Sequence, residues 1–234
     1  MIVVIQCAAS KASDAGHLVT ADGTSVTFVA HPEIAPKDNE FYARPDDDAG
    51  RGKSWRHVLL AYNREPNGNP LGLLPAYRLY QNPVFERLVD KLGIENVYIL
   101  SAGWGLIRSD FPAPYYDITF SPSARGADAY KRRHKGDQYD DFRMLRQDTK
   151  DEILFFGGKD YVPLFCALTQ NVNGKKEVFH SAGQGPAAPG CMLVKFDTTT
   201  RTNWHYECVN ALLDGFNSSE TLFGLPKSTS GEST

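Results

Sequence analysis

The sequence lacks any pair of closely spaced cysteines. Its four cysteines, Cys7, Cys166, Cys191 and Cys208, are widely scattered, and no two of them form a CxxC pair. Structural zinc sites usually contain such pairs, so we expect no metal site, and no motif implies a cofactor. Cys7 ends an apolar run, while Cys166 and Cys208 fall within helical patterns. This placement is typical of buried thiols in a reducing compartment.

Long apolar runs and an excess of positive charge are also missing. No apolar stretch approaches membrane-spanning length, and residues 1–6 form a strand pattern without the basic region of a signal peptide. We therefore expect a cytoplasmic protein with no membrane partner. The formal net charge is −3, so no global basic field indicates nucleic acid, although a local basic patch is compatible with that charge.

Strand-like and helical patterns alternate along the chain. Apolar runs predict strands, and periodicity with capping residues predicts helices. The strands are expected at 2–5, 97–100, 153–156, 177–180 and 192–196, and the helices at 53–63, 82–93, 140–147, 203–216 and from the turn at 157–161 through 168. This alternation predicts one α/β domain over 1–216, with a single mainly parallel sheet flanked by helices. An Asp-Gly turn predicts a β-hairpin insertion near 17–30. The tail 217–234, rich in Ser, Thr and Gly, is expected to be disordered.

The central strand ends in a turn of small residues that contains one large aromatic. Ser101-Ala102-Gly103-Trp104-Gly105 follows the strand at 97–100. In open α/β sheets, ligands bind just past the carboxyl ends of such strands. Gly103 and Gly105 allow positive φ or a close backbone approach, and Trp104 offers a flat face. The alternative is a tight turn with a tryptophan in the core.

Three strand ends are expected to converge on one edge of the sheet. They are Cys7-Ala8-Ala9-Ser10-Lys11, the turn at 101–105, and Gly157-Gly158-Lys159-Asp160-Tyr161. Small residues let backbone N–H groups approach a ligand, and the helix after the third turn directs its positive end towards the same space. The pattern predicts a site for an anion such as phosphate. Ordinary turn chemistry is the alternative, since Gly-Gly-Lys is not a Walker motif.

A proline-stiffened loop leads into a second candidate. Pro112 and Pro114 precede Tyr115, Tyr116 and Asp117. Tyr116 stacks on a base or packs into the core. Asp117 accepts a hydrogen bond from a base edge or sugar hydroxyl, acts as a general base, or caps a turn.

The chain contains one dense basic run, Lys131-Arg132-Arg133-His134-Lys135, flanked by Tyr130 and Tyr139. Basic residues with interleaved aromatics suit single-stranded nucleic acid or an exposed phosphate backbone. The alternative is a solvated face that is balanced by acidic neighbours, namely Asp137, Asp140 and Asp141.

Four segments, taken in order, resemble the YaaA-like family, which includes the peroxide-stress-resistance protein and a related bacterial and phage domain of unknown function. Val4-Ile5-Gln6-Cys7 with Ser10-Lys11 resembles the family's first strand and C-x-x-x-K turn. Residues 79–85 resemble its Leu-Tyr segment, and residues 99–107 resemble its central strand and turn. Tyr116-Asp117-Ile118-Thr119 resembles its YD-x-T segment, with Tyr115 where proline is usual.

The resemblance covers much of residues 1–170, with the stretch 12–78 enlarged. It implies an α/β fold around a central sheet, a cytoplasmic setting, and a link to DNA protection, stress or nucleobase chemistry. The stress protein is associated with DNA binding through a helix-hairpin-helix-like element. No such element follows residue 92 here, because Leu92-Gly93-Ile94-Glu95 leads directly into a strand.

Two hypotheses result, from different functional classes. The first is an enzyme, a transferase or hydrolase, that acts on a nucleobase, nucleotide or nucleic-acid end. Its expected catalytic residues are Asp117, Lys11 and Ser101, and its expected ligand contacts are Cys7, Ser10, Gly103, Trp104, Gly105, Tyr116, Gly157, Gly158, Lys159 and Tyr161. The second is a non-catalytic module that binds nucleic acid or a protein partner through Lys131, Arg132, Arg133 and Lys135. A metabolite enzyme without nucleic acid is a third possibility, and the sequence leaves the oligomeric state open.

Overall fold

A computed structural model describes residues 1–65, 68–181 and 183–215 of the chain. Eleven strands lie in these ranges: Ile2–Gln6 (β1), Val26–Phe28 (β2), Phe41–Ala43 (β3), Leu74–Pro75 (β4), Val97–Ser101 (β5), Gly105–Arg108 (β6), Pro112–Ala113 (β7), Phe142–Arg143 (β8), Ile153–Phe156 (β9), Lys176–His180 (β10) and Met192–Lys195 (β11). The α-helices are Trp55–Tyr62 (α1), Ala76–Leu79 (α2), Pro83–Leu92 (α3), Val162–Thr169 (α4) and Trp204–Gly215 (α5). Short 3-10 helices occupy Pro32–Ile34, Ile94–Asn96 and Gly126–Lys131.

The core is one seven-stranded sheet with the order β11-β10-β9-β1-β5-β6-β8. Every pairing is parallel except that between β5 and β6. Apart from Gln6 and Ser101 at their carboxyl ends, the central strands β1, β5 and β9 consist of apolar residues that are buried on both faces of the sheet. This is why they appear in the sequence as continuous apolar runs. The predicted α/β fold with a mainly parallel sheet is confirmed.

The central strand reverses direction instead of ending in an open loop. Residues 102–104 form a tight connection, and Ser101 pairs directly with Gly105 in the antiparallel β5–β6 ladder. Gly105 has φ +86°, and a Cβ at this position would lie 2.7 Å from the backbone nitrogen of Phe142. Glycine is therefore required here both by the backbone conformation and by the close approach of β8.

The prediction of a helix at 140–147 is wrong, because this segment contains strand β8. The Phe142 N–H donates to the carbonyl of Trp104, and the Met144 N–H donates to the carbonyl of Leu106, both at 3.0 Å. The Phe142 ring stacks on the Trp104 indole with a centroid distance of 6.2 Å. Pairing with β6 and packing on the indole override a local helical pattern that has few apolar residues.

The hairpin insertion near 17–30 is present in a short form. Val19 and Ser25 form an antiparallel bridge around a turn in which Gly23 has φ +88°. The chain continues into β2, which pairs in parallel with β3. A further small antiparallel sheet joins β4 and β7.

The remaining helices flank the sheet much as predicted. Asn82 caps α3 by accepting a hydrogen bond from the Val84 N–H at 3.0 Å, and Gly93 ends the helix with φ +85°. Helix α4 begins at Val162, later than the glycine pair at 157–158. The Phe155 ring of β9 stacks on Phe165 of α4 at 4.5 Å. Residues 216–234, including the tail expected to be disordered, lie outside the described residues. No helix within the described part of the chain has the length and apolar character needed to cross a membrane.

Candidate functional site

The three strand ends predicted to converge do meet at the carboxyl edge of the sheet. Strand β1 lies between β5 and β9, and its carboxyl end is tied to both neighbours. The Cys7 N–H donates to the carbonyl of Leu100 at 3.0 Å, and the Gly158 N–H donates to Oε1 of Gln6 at 2.6 Å. The chain leaves β1 towards β5 on one side, while β9 leads to β10 on the other. This is the kind of switch point at which α/β proteins bind ligands.

A chain of buried hydroxyl groups lies at this edge. Ser101 Oγ donates to the phenol oxygen of Tyr116 at 2.9 Å, and that phenol lies 3.0 Å from the phenol of Tyr80. Ser101 Oγ also accepts hydrogen bonds from the backbone N–H groups of Gly103 and Trp104, at 3.3 and 3.1 Å. Three residues from distant parts of the chain are thus fixed by one continuous network. The backbone of the turn after β5 therefore fixes the orientation of the Ser101 hydroxyl.

The thiol of Cys7 borders this network. Its sulfur lies 3.3 Å from the phenol oxygen of Tyr161, at the start of α4. Burial raises the pKa of the Tyr116, Tyr161 and Tyr80 phenols, and the Cys7 sulfur beside them raises it further. The three phenols therefore stay protonated at neutral pH and act as hydrogen-bond donors.

Lys11 places an amine over this cluster. Its Nζ lies 4.3 Å from the centre of the Tyr116 ring, in a cation–π arrangement. Among the described residues, its side chain has no hydrogen-bond or ion-pair partner. Burial lowers the pKa of Lys11, although the nearby Cys7 and Asp117 oppose that shift. An amine with a lowered pKa at a sheet edge has the properties of a general base or a nucleophile.

Asp117 does not cap a turn. Its carboxylate lies 2.9 Å from Nζ of Lys131, which also pairs with Asp128 at 2.9 Å. Burial works to lower the pKa of Lys131, but its hydrogen bonds to Asp128 and Asp117 outweigh burial and hold the pKa above its ordinary value. The Asp117 side chain is 30% exposed, so a ligand can reach it.

Neither aromatic residue proposed as a base-stacking platform has a free ring face. Trp104 and Tyr116 are both fully buried. The Trp104 indole packs edge-on against Phe28 at 5.1 Å and stacks with Phe142. The expectation that either ring stacks on a base is therefore wrong. Gly103 has a packing role, since a Cβ there would lie 3.0 Å from the Tyr116 ring.

The turn at 157–161 is less open to an anion than its sequence suggested. The Gly158 N–H is occupied by Gln6, and Gly157 is buried where a Cβ would lie 2.5 Å from the Phe155 ring. Lys159 is exposed, as is Ser10 in the turn after β1. These two side chains lie in turns next to the buried cluster and remain candidates for contact with a ligand.

The basic run is divided between the interior and the surface. Arg133 is 4% exposed and donates to both carboxylate oxygens of Asp141, at 2.9 and 2.6 Å, and to the carbonyl of Ala102. Its guanidinium also lies over the Tyr139 ring at 3.8 Å. The expectation that Arg133 binds phosphate is wrong, because its charge is already used inside the protein. Lys135 is exposed and pairs with Asp160 at 3.2 Å. Arg132 is partly buried, and its Nε has no hydrogen-bond partner among the described residues.

A cleft of about 210 Å³ lies between this segment and α4. It is bordered by Arg133, Tyr139, Asp141, Asp160 and Leu164, among others, and it does not include Lys11 or Cys7. The cleft mixes cations and carboxylates, so its charge does not select an anion.

Two structural residues of the site were not identified from the sequence. Tyr80 belongs to a segment that carries the family resemblance, and that membership was the available signal. Arg56 of α1 donates to the carbonyls of Gly103 and Trp104, at 2.8 and 3.1 Å, and pairs with Asp46. Its position in an amphipathic helix gave no sign of this, because its partners lie 47 and 48 residues away.

Within the described residues, no group of three or more His, Cys, Asp or Glu side chains is arranged to hold a metal ion. Comparison of the chain with protein-family models, curated proteins and solved structures found no match.

Proposed function

We propose that this protein is an enzyme that acts on a nucleobase, a nucleotide or a nucleic-acid end, with its active site at the carboxyl edge of β1, β5 and β9. The observation that carries the proposal is the convergence of Cys7, Lys11, Tyr80, Ser101 and Tyr116. These residues come from the four separate segments that resemble the YaaA-like family. They bring the Lys11 amine and the Cys7 thiol next to the hydroxyl groups of the other three residues. A module that only binds a partner does not need such a convergence of reactive groups.

The proposed chemistry centres on Lys11. Its lowered pKa increases the fraction of neutral amine, which accepts a proton from the substrate or attacks it. The buried phenols hold the turns around the amine in place through their hydrogen bonds. Asp117, on the exposed side, accepts a hydrogen bond from a base edge or a sugar hydroxyl. Ser10 and Lys159 contact phosphate when the substrate carries one.

The second candidate is a nucleic-acid-binding module that uses Lys131, Arg132 and Lys135. Two observations weigh against it. Arg133 is buried, and Lys131 and Lys135 are each paired with carboxylates. A phosphate backbone would have to displace those carboxylates, so the net gain from each contact is small.

The test is a thermal-shift screen of the full chain against nucleobases, nucleosides, nucleotides and short single-stranded oligonucleotides. A ligand at 100 times its dissociation constant stabilises the folded state by about 2.7 kcal/mol. For a protein of this size, each kcal/mol raises Tm by about 2–4 °C. We expect at least one nucleobase-containing probe to raise Tm. If none does, the assignment of substrate class is wrong.

A matched pair of variants locates the site. Asp117→Asn and Asp128→Asn each remove one carboxylate from Lys131. We expect Asp117→Asn to abolish the ligand-induced shift and Asp128→Asn to retain it. Equal loss in both variants would mean that the Lys131 ion pairs, and not Asp117 itself, determine binding.

A further inference from the structure

The structure places two cysteines in contact with each other outside the group of residues described above. Cys166 lies on α4, and Cys191 lies immediately before the edge strand β11. Their sulfur atoms are 3.9 Å apart, although the residues are 25 positions apart in the sequence. A disulfide requires about 2.05 Å between the sulfurs, so the two thiols are in contact but not bonded.

The other two cysteines have different surroundings. Cys7 is buried against Tyr161, and Cys208 is fully buried in α5. All four thiols are free in this structure, and of the four only Cys191 is partly exposed. One accessible thiol with a second, buried thiol in contact is the arrangement of an attacking cysteine and a resolving cysteine.

We propose that Cys166 and Cys191 form a redox-active dithiol, which a peroxide oxidises to an intramolecular disulfide. This site is independent of the proposed nucleobase chemistry, because none of the residues assigned to that chemistry touches either sulfur.

The electrostatic surroundings favour Cys191 as the attacking residue. The hydrogen bond between Cys166 and Cys191 and the nearby Lys176 ammonium lower the pKa of the Cys191 thiol to about 7, against the opposing effect of burial. The same hydrogen bond, together with burial, raises the pKa of Cys166. At neutral pH the exposed sulfur therefore carries much of the thiolate, which is the reactive form.

The reaction balances in two steps. The Cys191 thiolate attacks one oxygen of hydrogen peroxide, the O–O bond breaks, and hydroxide leaves, so that Cys191 becomes a sulfenic acid. The Cys166 thiol then loses its proton and its sulfur attacks the Cys191 sulfur. The S–O bond breaks and water leaves as the disulfide forms. Two thiols and one peroxide give one disulfide and two waters.

The test is intact-protein mass spectrometry after treatment of the full chain with hydrogen peroxide near pH 7. We expect the wild type to lose two hydrogens and to regain them on treatment with dithiothreitol. Peptide mapping should place the link between residues 166 and 191. A wild type that keeps its mass, or that links Cys7 or Cys208 instead, overturns the proposal.

Single variants separate the two roles. Cys166→Ser should not lose two hydrogens, and its Cys191 should accumulate a sulfenic acid that reacts with dimedone. Cys191→Ser should form neither product at the same peroxide dose. The control Cys208→Ala removes a buried thiol that lies outside the pair and should still form the disulfide. If Cys166→Ser forms disulfide-linked dimers as fast as the wild type forms its internal link, the 3.9 Å contact has no part in the reaction.

Discussion

Lys11 Nζ lies 4.3 Å from the centre of the Tyr116 ring, where burial lowers the pKa of the amine. The contact joins the turn after β1 to a loop more than 100 positions later. The ring's negative face partly compensates the ammonium for its lost hydration, and the hydroxyl of the same ring is fixed by Ser101 and Tyr80. One tyrosine therefore both supports the amine and ties the turns around it together.

The first prediction concerns stability and pH. Because the pKa of Lys11 is lower in the folded state than its ordinary value of 10.5, the folded state binds fewer protons between these two values. The charged amine destabilises the folded state by its full amount below the folded pKa. This destabilisation decreases as the pH rises through the folded pKa towards 10.5. Lys11→Met should raise Tm near pH 7, and this advantage should shrink as pH approaches 10.5.

Thermal melts of Lys11→Met and wild type across this pH range provide the measurement. Lys159→Met, which removes an exposed lysine, controls for the change in net charge. A difference between Lys11→Met and wild type that stays constant with pH contradicts the lowered pKa.

The second prediction tests the hydroxyl network. Tyr116→Phe leaves the buried Ser101 hydroxyl and the Tyr80 phenol without their shared partner. An unsatisfied buried polar group costs about 1–3 kcal/mol, so the free energy of unfolding should fall by about that amount. The neighbouring Tyr115→Phe should change it by less than about 0.5 kcal/mol, because Tyr115 is partly exposed. Urea denaturation of both variants checks this, and equal values for the two would rule out the network as a source of stability.

The third prediction separates the two ends of the basic run. Removing one partner of a buried ion pair costs about 3–5 kcal/mol, so Arg133→Ala should destabilise the protein by about that amount. Lys135→Ala removes an exposed pair and should cost no more than about 1 kcal/mol. Denaturant titration measures both costs. A small effect of Arg133→Ala would mean that the Arg133–Asp141 pair is not maintained in solution.

The fourth prediction concerns the reactivity of Cys191. The rate of its alkylation by iodoacetamide should rise with pH and show an inflection near 7. In Cys166→Ala the hydrogen bond that lowers the pKa is lost, so the inflection should move to higher pH. Mass spectrometry of the labelled peptide measures the rate at each pH. An inflection that does not move assigns the lowered pKa to Lys176 alone.

Local patterns were sufficient for the central sheet. Strands β1, β5 and β9 are apolar on both faces, and Asn82, Pro83 and Gly93 mark the ends of α3 by their own chemistry. The prediction that the three turns meet at one edge of the sheet followed from the parallel arrangement of the strands. These features depend on residues that are close in sequence or on general rules of topology.

The features that could not be predicted depend on distant partners. Trp104 between two glycines had the pattern of an exposed platform, but Phe28 and Phe142 bury it from positions far along the chain. The segment 140–147 had a helical pattern, but pairing with β6 places strand β8, Phe142–Arg143, within it. Arg133 was read as one of four similar cations, although its neighbours Lys131 and Lys135 lie at the surface and it does not. Arg133 differs from them because its guanidinium is held in the interior by Asp141 and by the carbonyl of Ala102.

The hydrogen bonds from Arg56 determine whether the fold can lose residues from the stretch 12–78. Arg56 comes from the enlarged stretch 12–78, and it donates to the carbonyls of Gly103 and Trp104 in the turn that follows Ser101. Removing this stretch would leave the buried Gly103 carbonyl without its Arg56 donor, would leave the Trp104 carbonyl with the Phe142 N–H alone, and would remove Phe28 from the indole. The stretch is therefore not an optional appendage to a smaller domain. A shortened descendant of this protein would need a new cation for that turn before it could keep the arrangement of Ser101 and Tyr116.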